Sequence, residues 1–204
     1  MDIPWKKIGA YAGILGGVLF VIITFINMAI YPGGYNFLLN YFSDLGRTVT
    51  NGVPSPADWF LFSLACTAAA VCSVPFWAAI RALFTKPPYL KYLAWLGTIL
   101  GVAAAPFLSG LAILAGDVFP TQHGLSTDIF FLLYSTAIVI YSIAIFLNKD
   151  YGYLYGFIGV IVAIICYGYI LIPFLGTALV QKIAVYALIL WSAFQGIRLL
   201  KAFK

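Results

Sequence analysis

The sequence of 204 residues contains no glutamate, a single histidine, and charged side chains at only 8% of its positions. Soluble globular domains carry a charge on about a quarter of their residues, so this chain has too few charges to cover a surface that faces water. Hydrophobic residues make up 64% of the sequence. These proportions predict an all-α bundle of membrane helices.

The same scarcity excludes several kinds of site. One histidine cannot supply bis-histidine haem ligation, and Cys66, Cys72 and Cys166 lack the spacing of a zinc site. The sequence also has no Walker phosphate loop, no G-x-S-x-G elbow and no H-E-x-x-H motif. We therefore expect no metal and no cofactor, and we interpret the cysteines as small apolar packing residues.

Six apolar runs are long enough to cross a bilayer, since a helix needs about 20 apolar residues to span roughly 30 Å of hydrocarbon. The predicted spans cover residues 8–31, 58–83, 92–116, 128–147, 153–176 and 182–200. They pair into three hairpins in a single bundle that covers residues 1–204. The longer connections, 32–57 and 117–127, lie on the same side of this bundle.

The basic residues predict the orientation of the bundle. Nine of the eleven Lys and Arg residues fall on one side of the six runs, whereas four of the six Asp residues and His123 fall on the other. Because cytoplasmic connections are enriched in Lys and Arg, we expect a multi-pass protein of the cell membrane with both termini in the cytoplasm. The net charge of +5 then belongs to an inner rim that faces anionic membrane lipids, and it gives no argument for nucleic acid as a partner.

Glycines four residues apart mark the first helix of each predicted hairpin. Such strips let helix backbones approach closely, which matters in lipid because apolar burial alone does not drive helix association there. The spacing predicts that the odd-numbered helices are the inner packing elements, although the same strips could pack against a partner subunit. The strips are Gly9, Gly13 and Gly17, then Gly97 and Gly101, then Gly152 and Gly156.

The first long connection is apolar where a linker would be polar. Its stretch from Tyr35 to Phe42 would not remain in water, so we expect a short interfacial helix or re-entrant segment over the mouth of the bundle. Asp44 and Arg47 are three residues apart and are predicted to pair on one helical face. Gly46 is expected to supply a left-handed turn.

The second long connection concentrates polar side chains. We expect Ser126 or Thr127 to cap the start of the fourth helix. Two interpretations of His123 remain open: an interfacial histidine hydrogen-bonded to a loop carbonyl, or a proton-transfer group oriented by Asp117 or Asp44.

Lys182 opens the last apolar run, where a cation must either reach the interface or find an acidic partner. A pair with Asp44 or Asp117 would bring all three hairpins together. Such a pair could act as a structural clamp, or the lysine could instead hold an anion or a lipid headgroup.

Four short motifs follow one another along the chain: Ser43–Gly46, Gly116–Pro120 with His123 close behind, Gln181–Lys182, and Gly196–Arg198. This order resembles a large prokaryotic family of six-span membrane proteins of unknown function, which is distantly similar to the eukaryotic DRAM-like membrane proteins. The resemblance implies an outer-face site built from Asp44, Asp117, His123 and Lys182, but it implies no reaction. Where that family tends to have Glu-Arg before the last span, this chain has Gln181–Lys182.

Three functional hypotheses follow. The first is that the protein binds a lipid or another amphiphile in a polar outer pocket formed by Asp44, Arg47, Asp117, His123 and Lys182. The second is a lipid-modifying enzyme in which His123 is the general base and Asp117 orients it. The third is a non-catalytic accessory subunit of a larger membrane complex, held by the glycine strips.

Overall fold

The computed structural model describes residues 4–203, and it is almost entirely helical. Its six helices, α1 to α6, run over Trp5–Ile30, Pro56–Arg81, Pro88–Ile113, Pro120–Phe146, Tyr153–Leu171 and Ala178–Ala202. Each is long and apolar enough to cross a membrane. The predicted all-α fold with six membrane-spanning helices is therefore confirmed.

The six helices form a closed ring. Each packs against its neighbours in the chain, α6 returns to α1, and α2 also contacts α6 across the ring. The hairpins α1–α2, α3–α4 and α5–α6 are present as predicted. An aromatic cluster fills part of the interior, where Trp77 lies 5.6 Å from Trp191 and 5.0 Å from Tyr134 between ring centroids.

Alternating helix directions divide the connections between the two ends of the ring. The long-loop end holds residues 31–55, 114–119 and 172–177, and the short-loop end holds residues 82–87 and 147–152. The two long connections predicted to share one side therefore do lie at the same end, together with the loop before α6.

The glycine strips pack within the chain. A methyl group at Gly9 would meet the backbone carbonyl of Pro75, and one at Gly13 would lie 2.5 Å from the ring of Phe76. The expectation that the odd-numbered helices are central is wrong, because α4 is the most buried helix and α1 and α5 are among the least. In a closed ring every helix has two neighbours, so a glycine strip identifies a close contact and not a central position.

The fourth helix begins eight residues earlier than predicted, at Pro120, so most of the expected connection 117–127 is helical. Proline is well suited to the first helical position because its missing N–H has no partner there in any case. The polar side chains of the first two turns concealed this start. Ser126 and Thr127 consequently lie inside the helix and do not cap it.

The connection between α1 and α2 folds back over the ring without forming an interfacial α-helix. It contains a short 3-10 helix, Phe42–Gly46, and a two-stranded hairpin, Val49–Thr50 with Val53–Pro54. Gly46 does not adopt a left-handed conformation, contrary to expectation. Glycine is suited to this position because a side chain would lie 2.5 Å from the ring of Phe62.

Candidate functional site

Residues 40–47, which we call the cap, lie over the long-loop end and are bonded to the start of α6. The hydroxyl of Tyr41 donates a hydrogen bond to the carbonyl of Gly176 at 2.7 Å, and the N–H of Phe42 donates one to the side-chain oxygen of Gln181 at 2.7 Å. The side chain of Gln181 in turn donates to the hydroxyl of Tyr169 on α5 at 2.9 Å. The cap is therefore tied to both helices of the last hairpin.

Asp44 holds the cap in shape. One carboxylate oxygen accepts a hydrogen bond from the N–H of Tyr41 at 2.8 Å, and the other lies 3.0 Å from the guanidinium of Arg47. The predicted pairing of Asp44 with Arg47 is confirmed. The side chain of Arg47 remains about half exposed, so this ion pair is partly screened by water or headgroups.

Lys182 is only 1% exposed. Its ammonium donates hydrogen bonds to the backbone carbonyls of Asn40 and Ala178, and it lies 5.3 Å from the ring centroids of three aromatic side chains. Those aromatic residues are Tyr35, Phe37 and Phe42. Within residues 4–203 Lys182 forms no ion pair, so the expected direct pair with Asp44 or Asp117 is not present. Carbonyl oxygens and ring faces stabilise this buried cation instead.

Asp117 joins the second connection to the first. Its carboxylate accepts hydrogen bonds from the hydroxyl and the N–H of Thr48, at 2.7 and 3.0 Å, and from the N–H of Val49 at 3.0 Å. Burial alone would raise the pKa of Asp117, but these hydrogen bonds outweigh burial and lower it below its ordinary value. The Asp117 carboxylate is therefore already bonded to the first connection, and its role is structural.

His123 lies in the first turn of α4. Its Nδ1 is 3.1 Å from the carbonyl oxygen of Leu114, which can only accept, so Nδ1 carries the proton and a neutral ring leaves Nε2 free. None of the carboxylates in the described part of the chain is hydrogen-bonded to this ring. The geometry matches the simpler interpretation of His123, and it supplies no orienting acid for a general base.

Asn27 is a further residue that ties this end together, and the sequence analysis did not single it out. Its amide is completely buried and donates to the carbonyl of Leu45 at 3.2 Å and to that of Asp58 at 2.9 Å. It thereby connects α1, the cap and α2. The only available signal was a lone amide within an apolar run.

Beneath the cap lies a cavity at the centre of the ring. Its walls come from α1, α2, α3, α4 and α6, and the cap closes it with Phe42 and Ser43. The cavity is open on one side, and the centre of a water-sized sphere can occupy about 100 Å³ of it. A single water molecule needs roughly 10–15 Å³ by this measure, so the space can hold several atoms of a ligand.

The cavity wall is mainly apolar, with a few hydroxyl groups. Glycine and alanine residues of α1 form one side of the wall, and Phe76 of the neighbouring helix α2 also lines it. Tyr134 of α4 and Ser192 of α6 both line this space, and their hydroxyls lie 2.9 Å apart. No charged side chain of residues 4–203 lines it.

The structure thus separates the five predicted site residues from the cavity. Asp44 and Arg47 belong to the cap and Lys182 bonds to it, whereas Asp117 lies in the connection between α3 and α4 and His123 bonds to that connection. Asp117 is connected to the cap only indirectly, through its hydrogen bonds to Thr48 and Val49, which follow the cap in the chain. Sequence patterns missed the cavity because its glycines and alanines have the same spacing as a helix-packing strip.

Comparison with protein-family models, curated proteins and solved structures gave no match to this chain. The resemblance to a six-span family therefore stays a prediction. The function must be argued from the geometry of the cavity and its cap.

Proposed function

We propose that the protein binds a lipid or another amphiphile in the central cavity, with the apolar chain of the ligand between the helices and its polar group near the cap. One observation supports this most directly: five helices surround an apolar space that reaches the cap, where Ser43 and Gln181 provide polar atoms. Apolar walls with a few placed polar groups are typical of small-molecule sites. The proposal replaces the polar outer pocket expected from the sequence.

The position of the cavity suits a ligand drawn from a bilayer. The helices around it expose large apolar side chains on their outer surfaces, as expected for helices that contact lipid tails. A chain that leaves the bilayer for this space exchanges one apolar environment for another. The binding free energy then comes from close contacts with the wall and from hydrogen bonds at the polar atoms.

A pair of matched substitutions tests the proposal. Val185 lines the cavity on α6, whereas Val71 on α2 is 65% exposed on the outside of the ring. We expect Val185→Phe to fill the cavity and weaken binding of the fluorescent 18-carbon probes cis-parinaric acid and its methyl ester by about tenfold or more. Val71→Phe adds the same atoms outside and should leave binding unchanged.

Probe fluorescence is measured on the purified full chain in detergent, and protein-free micelles provide the baseline. Each variant is also checked for an unchanged elution volume and unfolding temperature. Equal binding by Val185→Phe and Val71→Phe, or no binding of either probe by the native chain, would overturn the proposal.

We also propose that the long-loop end faces the outside of the cell membrane and that both termini are cytoplasmic. The excess of Lys and Arg at the short-loop end supports this orientation. Single cysteines introduced at exposed Gln122 and exposed Lys149, in a background without the three native cysteines, test it. A membrane-impermeant thiol reagent should label position 122 in intact cells and position 149 only after lysis; the reverse pattern would contradict the proposal.

A further inference from the structure

We propose that the cavity selects an uncharged amphiphile, one whose polar group is a hydroxyl or a carbonyl. This inference rests on the proposed function, and it names the chemical class of the ligand. It depends on two observations. The charged side chains near the cap are bonded to other protein groups, and a few polar atoms of the cavity wall can still form hydrogen bonds.

The charged side chains around the cap are bonded to protein groups outside the cavity. Asp44 pairs with Arg47, and the carboxylate of Asp117 accepts three donors from Thr48 and Val49. Lys182 is the cation nearest the cavity in sequence, since it follows Gln181, which lines the wall. Its ammonium, however, bonds to the carbonyls of Asn40 and Ala178 and is absent from the lining.

Aromatic rings also separate Lys182 from the cavity. Phe42 contributes to the cavity wall and lies 5.3 Å from the ammonium, measured to its ring centroid. A carboxylate or phosphate inside the cavity would therefore lack a counter-ion within hydrogen-bond reach. An ionised group without a partner in an apolar site is strongly unfavourable, whereas a neutral hydroxyl or carbonyl needs only one or two hydrogen bonds.

Two sets of polar atoms remain available for such hydrogen bonds. At the cap, the hydroxyl of Ser43 has no partner among residues 4–203. Deeper in the cavity, Tyr134 and Ser192 share a single hydrogen bond although each has its own hydroxyl proton. One of those protons is therefore free to be donated to a ligand oxygen.

The positions of these atoms imply an elongated ligand. Along α4 the wall extends from Thr127 to Tyr134, and along α6 it extends from Gln181 to Ser192. At 1.5 Å of rise per residue, these separations correspond to roughly 10 and 16 Å. An apolar chain aligned with the helices fits this shape, with its neutral polar group at one of the two polar levels.

The two probes described above share the same 18-carbon chain and differ in the head group, which can ionise in the acid but not in the methyl ester, so they test the inference directly. At about pH 7.5, where the free acid is ionised, we expect the methyl ester to bind at least about tenfold more tightly than the acid. At about pH 4, where a large part of the acid is protonated, the acid should bind within about threefold of the ester. The ester controls for any effect of pH on the shape of the cavity.

Two substitutions, Lys182→Met and Tyr134→Phe, show which side chains determine the affinities for the two probes. Lys182→Met should change the affinities for the acid and the ester by the same factor, since any loosening of the cap affects both probes, whereas Tyr134→Phe should weaken the binding of the ester severalfold. If the ionised acid binds as tightly as the ester and Lys182→Met abolishes this, the cavity takes anionic lipids and the inference is overturned while the proposed function stands. If neither probe binds the native chain, the proposed function itself fails.

Discussion

Gln181 accepts a hydrogen bond from the backbone N–H of Phe42 at 2.7 Å while its own amide donates to the hydroxyl of Tyr169 at 2.9 Å. One side chain thus connects the cap to both helices of the last hairpin. Gln181 is only 6% exposed, so water cannot easily replace these bonds. The closure of the cavity therefore depends strongly on this amide.

Substitution of Gln181 should loosen the cap. Gln181→Leu keeps the volume of the side chain but leaves the N–H of Phe42 without an acceptor, which costs about 1–3 kcal/mol. We expect faster hydrogen exchange across residues 40–47 and a lower unfolding temperature. Gln122→Leu, the same change at an exposed position of α4, is the control and should alter neither. Unchanged exchange in Gln181→Leu would contradict this role.

Gly9 and Gly124 both lie within helices but differ in the space around them. A methyl group at Gly9 would overlap the carbonyl of Pro75 and the side chain of Ala79, whereas one at Gly124 meets no atom within 4 Å. We expect Gly9→Ala to destabilise the protein by about 1–3 kcal/mol. Gly124→Ala should stabilise it by up to about 1 kcal/mol because alanine favours the helix. Unfolding temperatures in detergent provide the measurement, and equal shifts would refute the close contact.

The lowered pKa of Asp117 predicts a dependence of stability on pH. Above the ordinary carboxyl pKa of about 3.9 both states are ionised and the contribution of Asp117 is fully present. As the pH falls towards the lowered pKa of the folded state, the unfolded carboxyl binds more protons and that contribution is lost. The native chain should therefore unfold at a higher temperature than Asp117→Asn near neutral pH, and this difference should shrink in acid. A difference that grows on acidification would contradict the prediction.

Asp58 is a buried acid without a described partner. It is 2% exposed, one of its carboxylate oxygens has no hydrogen bond, and no ion pair within residues 4–203 includes it. Replacement by asparagine keeps the shape and removes the charge. We expect Asp58→Asn to raise the stability by about 1–3 kcal/mol, because burial of an ionised carboxylate without a partner costs more than burial of a neutral amide. A marked loss of stability would show that the carboxylate makes a contact that asparagine cannot replace.

Composition and hydropathy were sufficient to predict the six helices, because a chain with so few charges can satisfy its backbone in lipid only by forming helices. The boundaries were harder to predict. Pro120 starts α4 within a polar stretch, and hydropathy cannot detect a helical turn made of polar residues. The spacing of Asp44 and Arg47 predicted their ion pair correctly, since both residues lie within one turn of the chain.

The candidate site could not be predicted in the same way. The sequence directed attention to charged side chains, but the structure uses Lys182 and Asp117 to bind backbone groups of the first connection. The cavity depends on residues such as Gly16 and Val185, whose types are equally common in solid helix packing. Whether small residues bring two helices together or leave a space depends on the facing side chains, which only the assembled ring specifies.

The sequence by itself determined that this protein consists of six apolar helices, because lipid requires backbone hydrogen bonds to be satisfied within each helix. It also determined that most of the basic residues lie at one end. The tertiary structure decided that these helices close into a ring, that the cap folds over it, and that the polar residues of the long-loop end bond to one another beside the cavity and not within it. Those outcomes depend on contacts between residues as far apart as Phe42 and Gln181. Local pattern carries no information about such contacts, since they form only when distant segments pack together.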